Sequence, residues 1–326
     1  MTATMRALQQ TSLNGPEDLR LRTDVPVPSP GPGEVLVRVD AAGVNFADIS
    51  QSYGTFRDGP RPPYVAGFEA AGEVVATGDP AATPQPGARV VGVGYGAFAE
   101  YTVLPAATAM PVPAGWSAEQ ALGLAVNWPT AFAALKPLGR LAAGETVLIH
   151  AAAGATGQAA VRIAKHYGAT VIGVASPGKH ETVLALGADH VLDPHGEDVA
   201  AAVRALTGGA DLVLESAGGA SFAASLAAAK PVTGRVVVYG LAGGEASLTN
   251  WELVYRYQVH VAGLNIGVLA QAAPHVFGEV TAEVSALVAA GVLAPARPTT
   301  YDLADGPKAL AELAARTTVG KLALRP

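Results

Sequence analysis

The sequence predicts an α/β protein in which a doubly wound, six-stranded parallel-sheet domain is inserted into a small β-barrel or sandwich. Three observations carry this. At 326 residues, half of them apolar, the chain exceeds what one core usually organises, so two domains are expected. Up to about Leu124 it is a series of short β-prone runs split by Gly and Pro. Near Trp128 the pattern changes, and strands begin to alternate with helix-length amphipathic stretches.

In the first part the β-prone runs are Val35 to Val39, Ala71 to Ala76, Arg89 to Val93 and Phe98 to Leu104. Pro28-Ser-Pro-Gly-Pro-Gly33 and Pro84-Gln-Pro-Gly87 punctuate them. In the second part the strands are Thr146 to Ala151, Thr170 to Ala175, His190 to Asp193, Asp211 to Glu215, Arg235 to Tyr239 and Val259 to Leu264. Their spacing of about 20 to 30 residues leaves room for a crossover helix after each, as a parallel sheet requires. A helix over Pro274 to Ala290, a strand-like Thr299 to Leu303, a helix over Gly306 to Ala315 and a last strand, Lys321 to Leu324, complete the chain. The terminal segment is expected to rejoin the first domain, giving residues 1–124 with 266–326 and a parallel-sheet domain over 125–265. A crevice between two domains is the natural place for a ligand.

The strand at Thr146 runs into Ala152-Ala-Gly154-Ala-Thr-Gly157 and then a helix that Gly168 ends. A dinucleotide loop needs small residues here, so that backbone amides at a helix N-terminus approach a pyrophosphate. Two glycines alone also fit an ordinary tight turn. The preceding strand, the following helix and a second strand about twenty residues on make the nucleotide reading the stronger. An NAD site would place Asp or Glu at the end of that second strand. The chain reads Val174-Ala-Ser176-Pro-Gly-Lys179 instead, where Ser176 can donate a hydrogen bond and Lys179 a charge to a 2′-phosphate. NADPH is the cofactor expected, the alternative being that Lys179 is only a solvated residue opening the next helix.

The chain resembles the medium-chain dehydrogenase/reductase superfamily in its zinc-free quinone-oxidoreductase branch, over nearly its whole length. The segments that carry this are Pro30 to Val37, Ala42-Gly-Val-Asn-Phe-Ala-Asp48, Gly67-Phe-Glu-Ala-Ala-Gly72, Gly96-Ala-Phe-Ala-Glu-Tyr101, Thr130-Ala, the glycine loop, Gly187-Ala-Asp189 and Gly320-Lys321. The resemblance implies a Rossmann domain inserted in a GroES-like barrel. Zinc relatives carry Cys where this chain has Asn45 and His where it has Phe68, so no metal site is expected. Without a Lewis acid, reduction of a quinone or other conjugated carbonyl is favoured over alcohol oxidation, because the charge it creates is already delocalised.

The resemblance also implies roles for single residues. Asn45 and Thr130 lie beside the nicotinamide and its ribose, and Gly154, Ala155, Thr156 and Gly157 support the pyrophosphate. Ser176 and Lys179 hold the 2′-phosphate, while Ser216, Gly240 and Leu241 line the adenosine and ribose groove. Asn265 approaches the carboxamide and Lys321 the nicotinamide end, and Phe46 is counted among the cofactor-binding residues. Tyr53 is a candidate proton donor or substrate contact, and with Phe46, Phe56 and Trp128 it would suit a flat apolar substrate. Plain structural roles stand beside these: Asn45 as a turn residue, Asp48 as a helix anchor, Gly240 as a strand terminator, Tyr53 as loop packing and Trp128 as core. The chain departs from many relatives in having Ser50 and Phe56 at two tyrosine positions, and Pro194 at a third, beside His195.

Composition narrows the partners. A net charge of −6 without a basic cluster argues against nucleic acid and anionic membranes. No apolar stretch reaches the ~18 residues needed to span a bilayer, and a cytoplasmic location is expected. The absence of cysteine removes disulfides, thiol nucleophiles and thiolate ligands. None of the seven histidines forms a His-x-x-x-His pair. Two other functions remain open: an enoyl or 2-alkenal reductase, and a non-catalytic NADPH-binding sensor. The last strand of the parallel sheet, 259–265, would be an uncovered edge, and a homodimer through it is expected.

Overall fold

A computed structural model describes residues 3–57, 59–79, 81 and 83–326. The chain divides into two compact units, Met1–Val126 with Pro295–Pro326, and Asn127–Ala294.

The first unit begins with β1 (Thr4–Gln10), β2 (Leu19–Pro26), β3 (Glu34–Val44), α1 (Phe46–Ser52), β4 (Tyr64–Val65), β5 (Glu69–Thr77), β6 (Arg89–Val93), β7 (Tyr101–Pro105), β8 (Met110–Pro111) and the short α2 (Ala118–Ala121). β3 organises it. One edge pairs along its length with β5, with two register shifts that bend both strands. The other edge is divided: residues 34–38 pair with β7, and residues 42–44 with a strand from the far end of the chain. Alternation along β3 buries Val35, Val37 and Val39 against Val74, Val90, Leu104 and Phe98, while Arg38 faces Glu73 at the surface. β1 and β2, which the β-prone runs did not single out, form a separate sheet in the order β2-β1-β4. Their sequences, TMRALQQ and LRLRTDVP, mix polar residues into both faces, so the period-2 signal is weak.

The second unit runs α3 (Asn127–Ala133), β9 (Thr146–Ile149), α4 (Ala155–His166), β10 (Thr170–Val174), α5 (His180–Ala185), β11 (His190–Leu192), α6 (Val199–Thr207), β12 (Leu212–Glu215), α7 (Ala220–Ala228), β13 (Arg235–Val238), β14 (His260–Gly263), α8 (Ile266–Ala272) and α9 (Pro274–Ala289). Its strands lie in the order β11-β10-β9-β12-β13-β14, every pair parallel. This is the doubly wound sheet expected of the sequence, with strand order reversing between β9 and β12. β9 and β12 are buried along their whole length, as central strands covered on both faces must be. Leu148, Ile172, Val203, Phe222, Leu226 and Val236 pack together on one face under α6 and α7. α4 covers the other side with Ala160, Val161, Ile163 and Ala164, and Gly168 at φ +76 ends it as read from the sequence.

Residues 266–294, which the sequence reading assigned to the barrel, group with the nucleotide unit instead. The reason is packing: α9 lies along α3 and buries Val280, Val284 and Leu287. A helix that follows the last strand of a doubly wound sheet has no sequence mark saying which core it joins.

The chain then returns to the first unit with β15 (Thr299–Asp302), α10 (Gly306–Ala314) and β16 (Leu322–Arg325). β16 runs parallel to β15 and antiparallel to the end of β3. That pairing brings Lys321, the residue before β16, beside Asn45, the residue after β3. No helix among the described residues is long and apolar enough to cross a membrane.

Candidate functional site

In the second unit the predicted cofactor residues other than Thr130 lie on one rim, because a parallel sheet points all its carboxyl ends the same way. Five neighbouring strands contribute. Ser176 and Lys179 follow β10, Gly154 to Gly157 follow β9, Ser216 follows β12, Gly240 and Leu241 follow β13, and Asn265 follows β14.

The loop after β9 is tightly built. Ala151 sits at φ +49, in the left-handed region, and its carbonyl accepts from Gly154 N at 2.9 Å. A Cβ on Gly157 would lie 2.2 Å from that same carbonyl oxygen and 2.7 Å from Ala152 Cα, so only glycine fits. Gly154 is the N-cap of the twelve-residue α4 and brings no side chain to cap its first turn. The amides there are left for an anion, with the helix dipole behind them. These features fit a dinucleotide's pyrophosphate.

Lys179 and Ser176 bracket a short 3-10 turn, with Lys179 as N-cap of α5 and both side chains half-buried. Partial burial holds the Lys179 ammonium below the ordinary lysine range. Ser216 is hydrogen-bonded to the Tyr239 hydroxyl, whose pKa burial pushes up to about 12. A Cβ on Gly240 would meet Ser216 O at 2.6 Å, so this glycine is required by the close approach of the β12 and β13 loops. Leu241 and Asn265 are exposed, and Asn265 Oδ1 caps α8 by accepting from Gly267 N and Val268 N at 2.9 and 3.2 Å. Thr130 is buried in α3, and that helix is tied to the loop helix by Asn127 Nδ2 donating to Thr156 Oγ1 at 3.2 Å. Trp128 is buried beside it.

In the first unit, Asn45 is the N-cap of α1 and is 7% exposed. Its Oδ1 accepts from Lys321 Nζ at 2.7 Å, and its Nδ2 donates to Glu69 Oε2 at 2.9 Å and to Gly43 O at 3.2 Å. Lys321 Nζ also donates to Glu69 Oε2, at 2.5 Å, and Glu69 Oε1 accepts from Gly123 N at 2.7 Å. The three side chains form one buried cluster that orients the Asn45 amide from both ends. Gly43 makes room for it, since a Cβ there would lie 2.3 Å from Glu69 Oε2. Asp48 anchors the same turn, its Oδ2 accepting from Asn45 N at 2.7 Å, while its Oδ1 is buried without a hydrogen-bond partner. Desolvation pushes the Asp48 carboxyl up to about 8, against the pull of the Asn45 amide and Lys321. Phe46 packs half-buried on the core beside Ile49, and Tyr53, which ends α1, is 47% exposed.

Sequence reading gave Glu69 no task, although it stands within one of the segments quoted for the resemblance. It also passed over His150, Glu215, Ser221 and Ser225, which the fold gathers at the ends of β9 and β12. The available signal was a His and a Glu each closing an otherwise apolar strand, where a buried charge needs a partner. Among the described residues, no three or more His, Asp or Glu side chains come together as a metal-ligand set.

Two family models match the chain: "Alcohol dehydrogenase GroES-like domain" over residues 31–114 and "Zinc-binding dehydrogenase" over residues 155–285. Among curated relatives, prostaglandin reductase-3 of Bos taurus is 42% identical over 72% of this chain and 62% of its own length. A component of the pikromycin polyketide synthase of Streptomyces venezuelae is 37% identical over 90% of this chain. The chain thus spans less than two thirds of these relatives, and only 8% of the synthase component. Solved structures match end to end. A mycobacterial protein complexed with NADPH is 32% identical with a TM-score of 0.92, covering 99% of this chain and 100% of the other. The quinone oxidoreductase of Pseudomonas syringae pv. tomato is 34% identical with a TM-score of 0.92 over the same shares. The CurK enoyl reductase is 26% identical with a TM-score of 0.87, covering 98% and 99%. With both units matched in order and the whole chain superposing on such structures, the protein belongs to the medium-chain dehydrogenase/reductase superfamily.

Proposed function

We propose that the chain is an NADPH-dependent, zinc-independent reductase that delivers a hydride to a quinone or another electron-poor conjugated carbonyl compound. The observation that carries this reading is the rim of the second unit, where a glycine-lined helix N-terminus stands one strand from Ser176 and Lys179. Similarity to a mycobacterial NADPH complex and to the Pseudomonas quinone oxidoreductase supports it.

In this reading the amides of Gly154 to Gly157 hold the pyrophosphate, and Ser176 and Lys179 the 2′-phosphate. Ser216, Gly240 and Leu241 serve the adenosine and ribose, and Asn265 the carboxamide. Asn45, Phe46, Thr130 and Lys321 serve the nicotinamide end, with Tyr53 as a substrate contact. When bound, the reduced dinucleotide supplies the hydride. The chain's part is to position the reactants and to donate hydrogen bonds to the developing oxyanion, and solvent or a weak acid supplies the proton.

Lys179→Ala is expected to raise the Kd for NADPH about tenfold or more, the worth of a charge-assisted hydrogen bond, and to leave NADH binding nearly unchanged. Equal effects on both nucleotides would remove Lys179 from the 2′-phosphate. Similarity to the CurK enzyme favours a second reading, enoyl or 2-alkenal reduction. Steady-state assays with NADPH separate the two: turnover of enals or enoyl thioesters alone would overturn the quinone assignment. Tight NADPH binding without oxidation by any acceptor would mark a non-catalytic sensor.

We also propose a cytoplasmic homodimer. β14 is the edge of the parallel sheet, and His260, Val261 and Gly263 on it are exposed. An edge of this kind pairs readily with a second copy. A monomeric mass at micromolar concentration in sedimentation would overturn the dimer, and recovery with membranes on cell fractionation would overturn the location.

A further inference from the structure

The two central strands of the second unit end in a buried polar network that hydride transfer does not call upon. β9 and β12 are neighbours in the sheet, with Ile149 opposite Leu214, and strand order reverses between them. At such a reversal the crossovers diverge to opposite faces and leave a crevice outside the carboxyl ends, where ligands of open α/β sheets bind. His150 and Glu215 stand at those two ends, 4% and 0% exposed.

His150 Nδ1 lies 3.0 Å from Ser221 Oγ, and its Nε2 lies 2.9 Å from Ser225 Oγ. Both hydroxyls also contact Glu215 Oε2, Ser221 at 3.1 Å. Glu215 Oε1 faces the other way and accepts from Ala217 N at 2.6 Å and Gly218 N at 2.9 Å. The arrangement is not that of an activated serine. The carboxylate meets the hydroxyls, and its oxygen is 3.6 Å from His150 Nε2, so no acid orients the imidazole toward a nucleophile. Burial pushes the His150 pKa down and the facing carboxylate pushes it up, the former prevailing.

What the network does join is two loops. His150 is bonded to the residue after it, Ala151, which holds the left-handed φ of +49 and whose carbonyl seats Gly157 at the start of α4. A non-glycine residue in that conformation costs about 1 kcal/mol or more and persists only where its surroundings hold it. Glu215, for its part, holds the turn 216–219, in which Gly218 and Gly219 take φ of +70 and +53. Ser221 and Ser225, on α7, connect the imidazole to the carboxylate.

We propose that His150 and Glu215 are positioning residues for the dinucleotide, locking the pyrophosphate loop and the 216–219 turn to each other before the ligand arrives. Preorganisation of this kind raises affinity by lowering the ordering cost at binding. The inference rests on the dinucleotide reading above.

The test uses the full chain with His150→Leu, His150→Gln and Ser221→Ala, measuring Kd for NADPH by calorimetry, melting temperature without ligand, and the steady-state constants. His150→Leu is expected to raise Kd about tenfold, with KM for NADPH rising by more than kcat falls, and His150→Gln, which keeps one polar end, to recover part of the loss. An unchanged Kd in His150→Leu, even with a lower melting temperature, would reduce the network to core packing and overturn the proposal. Should that variant fail to fold, Ser221→Ala decides, because it removes one contact to each partner at a half-buried site: an unchanged Kd again overturns it. Wild-type protein that binds no nicotinamide nucleotide is a separate result, sinking the parent reading and this one with it.

Discussion

Replacing Lys321 with methionine is expected to lower the unfolding free energy by about 3–5 kcal/mol, the cost of leaving a buried charge without its partner. Glu69 is fully buried and keeps its bonds from Asn45 Nδ2 and Gly123 N, but neither brings the positive charge that Lys321 Nζ supplies at 2.5 Å. The double variant Glu69→Gln with Lys321→Met is expected to be more stable than Lys321→Met alone, because the orphaned charge is gone. Denaturant titrations of the wild type, Lys321→Met, Glu69→Gln alone and the double variant give the coupling directly. A loss below about 1 kcal/mol for Lys321→Met would place the pair in the range of exposed surface bridges and contradict its burial.

The second large effect is a pH dependence. Asp48 titrates near 3.8 in the unfolded chain and is pushed up to about 8 in the folded one, chiefly by desolvation. Its folded pKa is raised, so the folded state binds the proton more tightly. That contribution to stability is therefore complete below pH 3.8 and is lost progressively as pH rises through 8. Asp48→Asn keeps an oxygen to accept from Asn45 N and cannot ionise, so it mimics the protonated form. The variant should match the wild type near pH 4 and become more stable by a few kcal/mol on approaching pH 8 and above. Stability curves that stay parallel over that range would show that Asp48 ionises as an exposed carboxylate does. The same carboxyl caps the turn that carries Asn45, so wild-type activity on the alkaline side is expected to reflect this ionisation as well.

Both effects arise in a cluster that the sequence only half disclosed. Asn45 and Lys321 were each singled out, but as separate members of the nicotinamide end, and Glu69 was quoted without a role. The contact that unites them joins positions 276 residues apart. It exists because β16 pairs antiparallel with the last residues of β3, setting Leu322 opposite Val44. The network at the ends of β9 and β12 was missed for the same reason. His150 and Ser225 are 75 residues apart, and their meeting depends on α7 crossing back over the sheet.

By itself the sequence determined the parallel sheet and its six strands and the glycine loop with its helix, because these are written in local periods, in the room that Gly157 leaves and in the left-handed φ of Gly168. Tertiary structure alone decided that residues 266–294 pack with the nucleotide unit, that Asn45 is held between Lys321 and Glu69, and that His150 is bound to Glu215 through two serines. A backbone conformation is chosen mainly by near neighbours along the chain. Which buried charges and hydroxyls satisfy one another is chosen by topology, which brings distant segments together and excludes the water that would otherwise serve them.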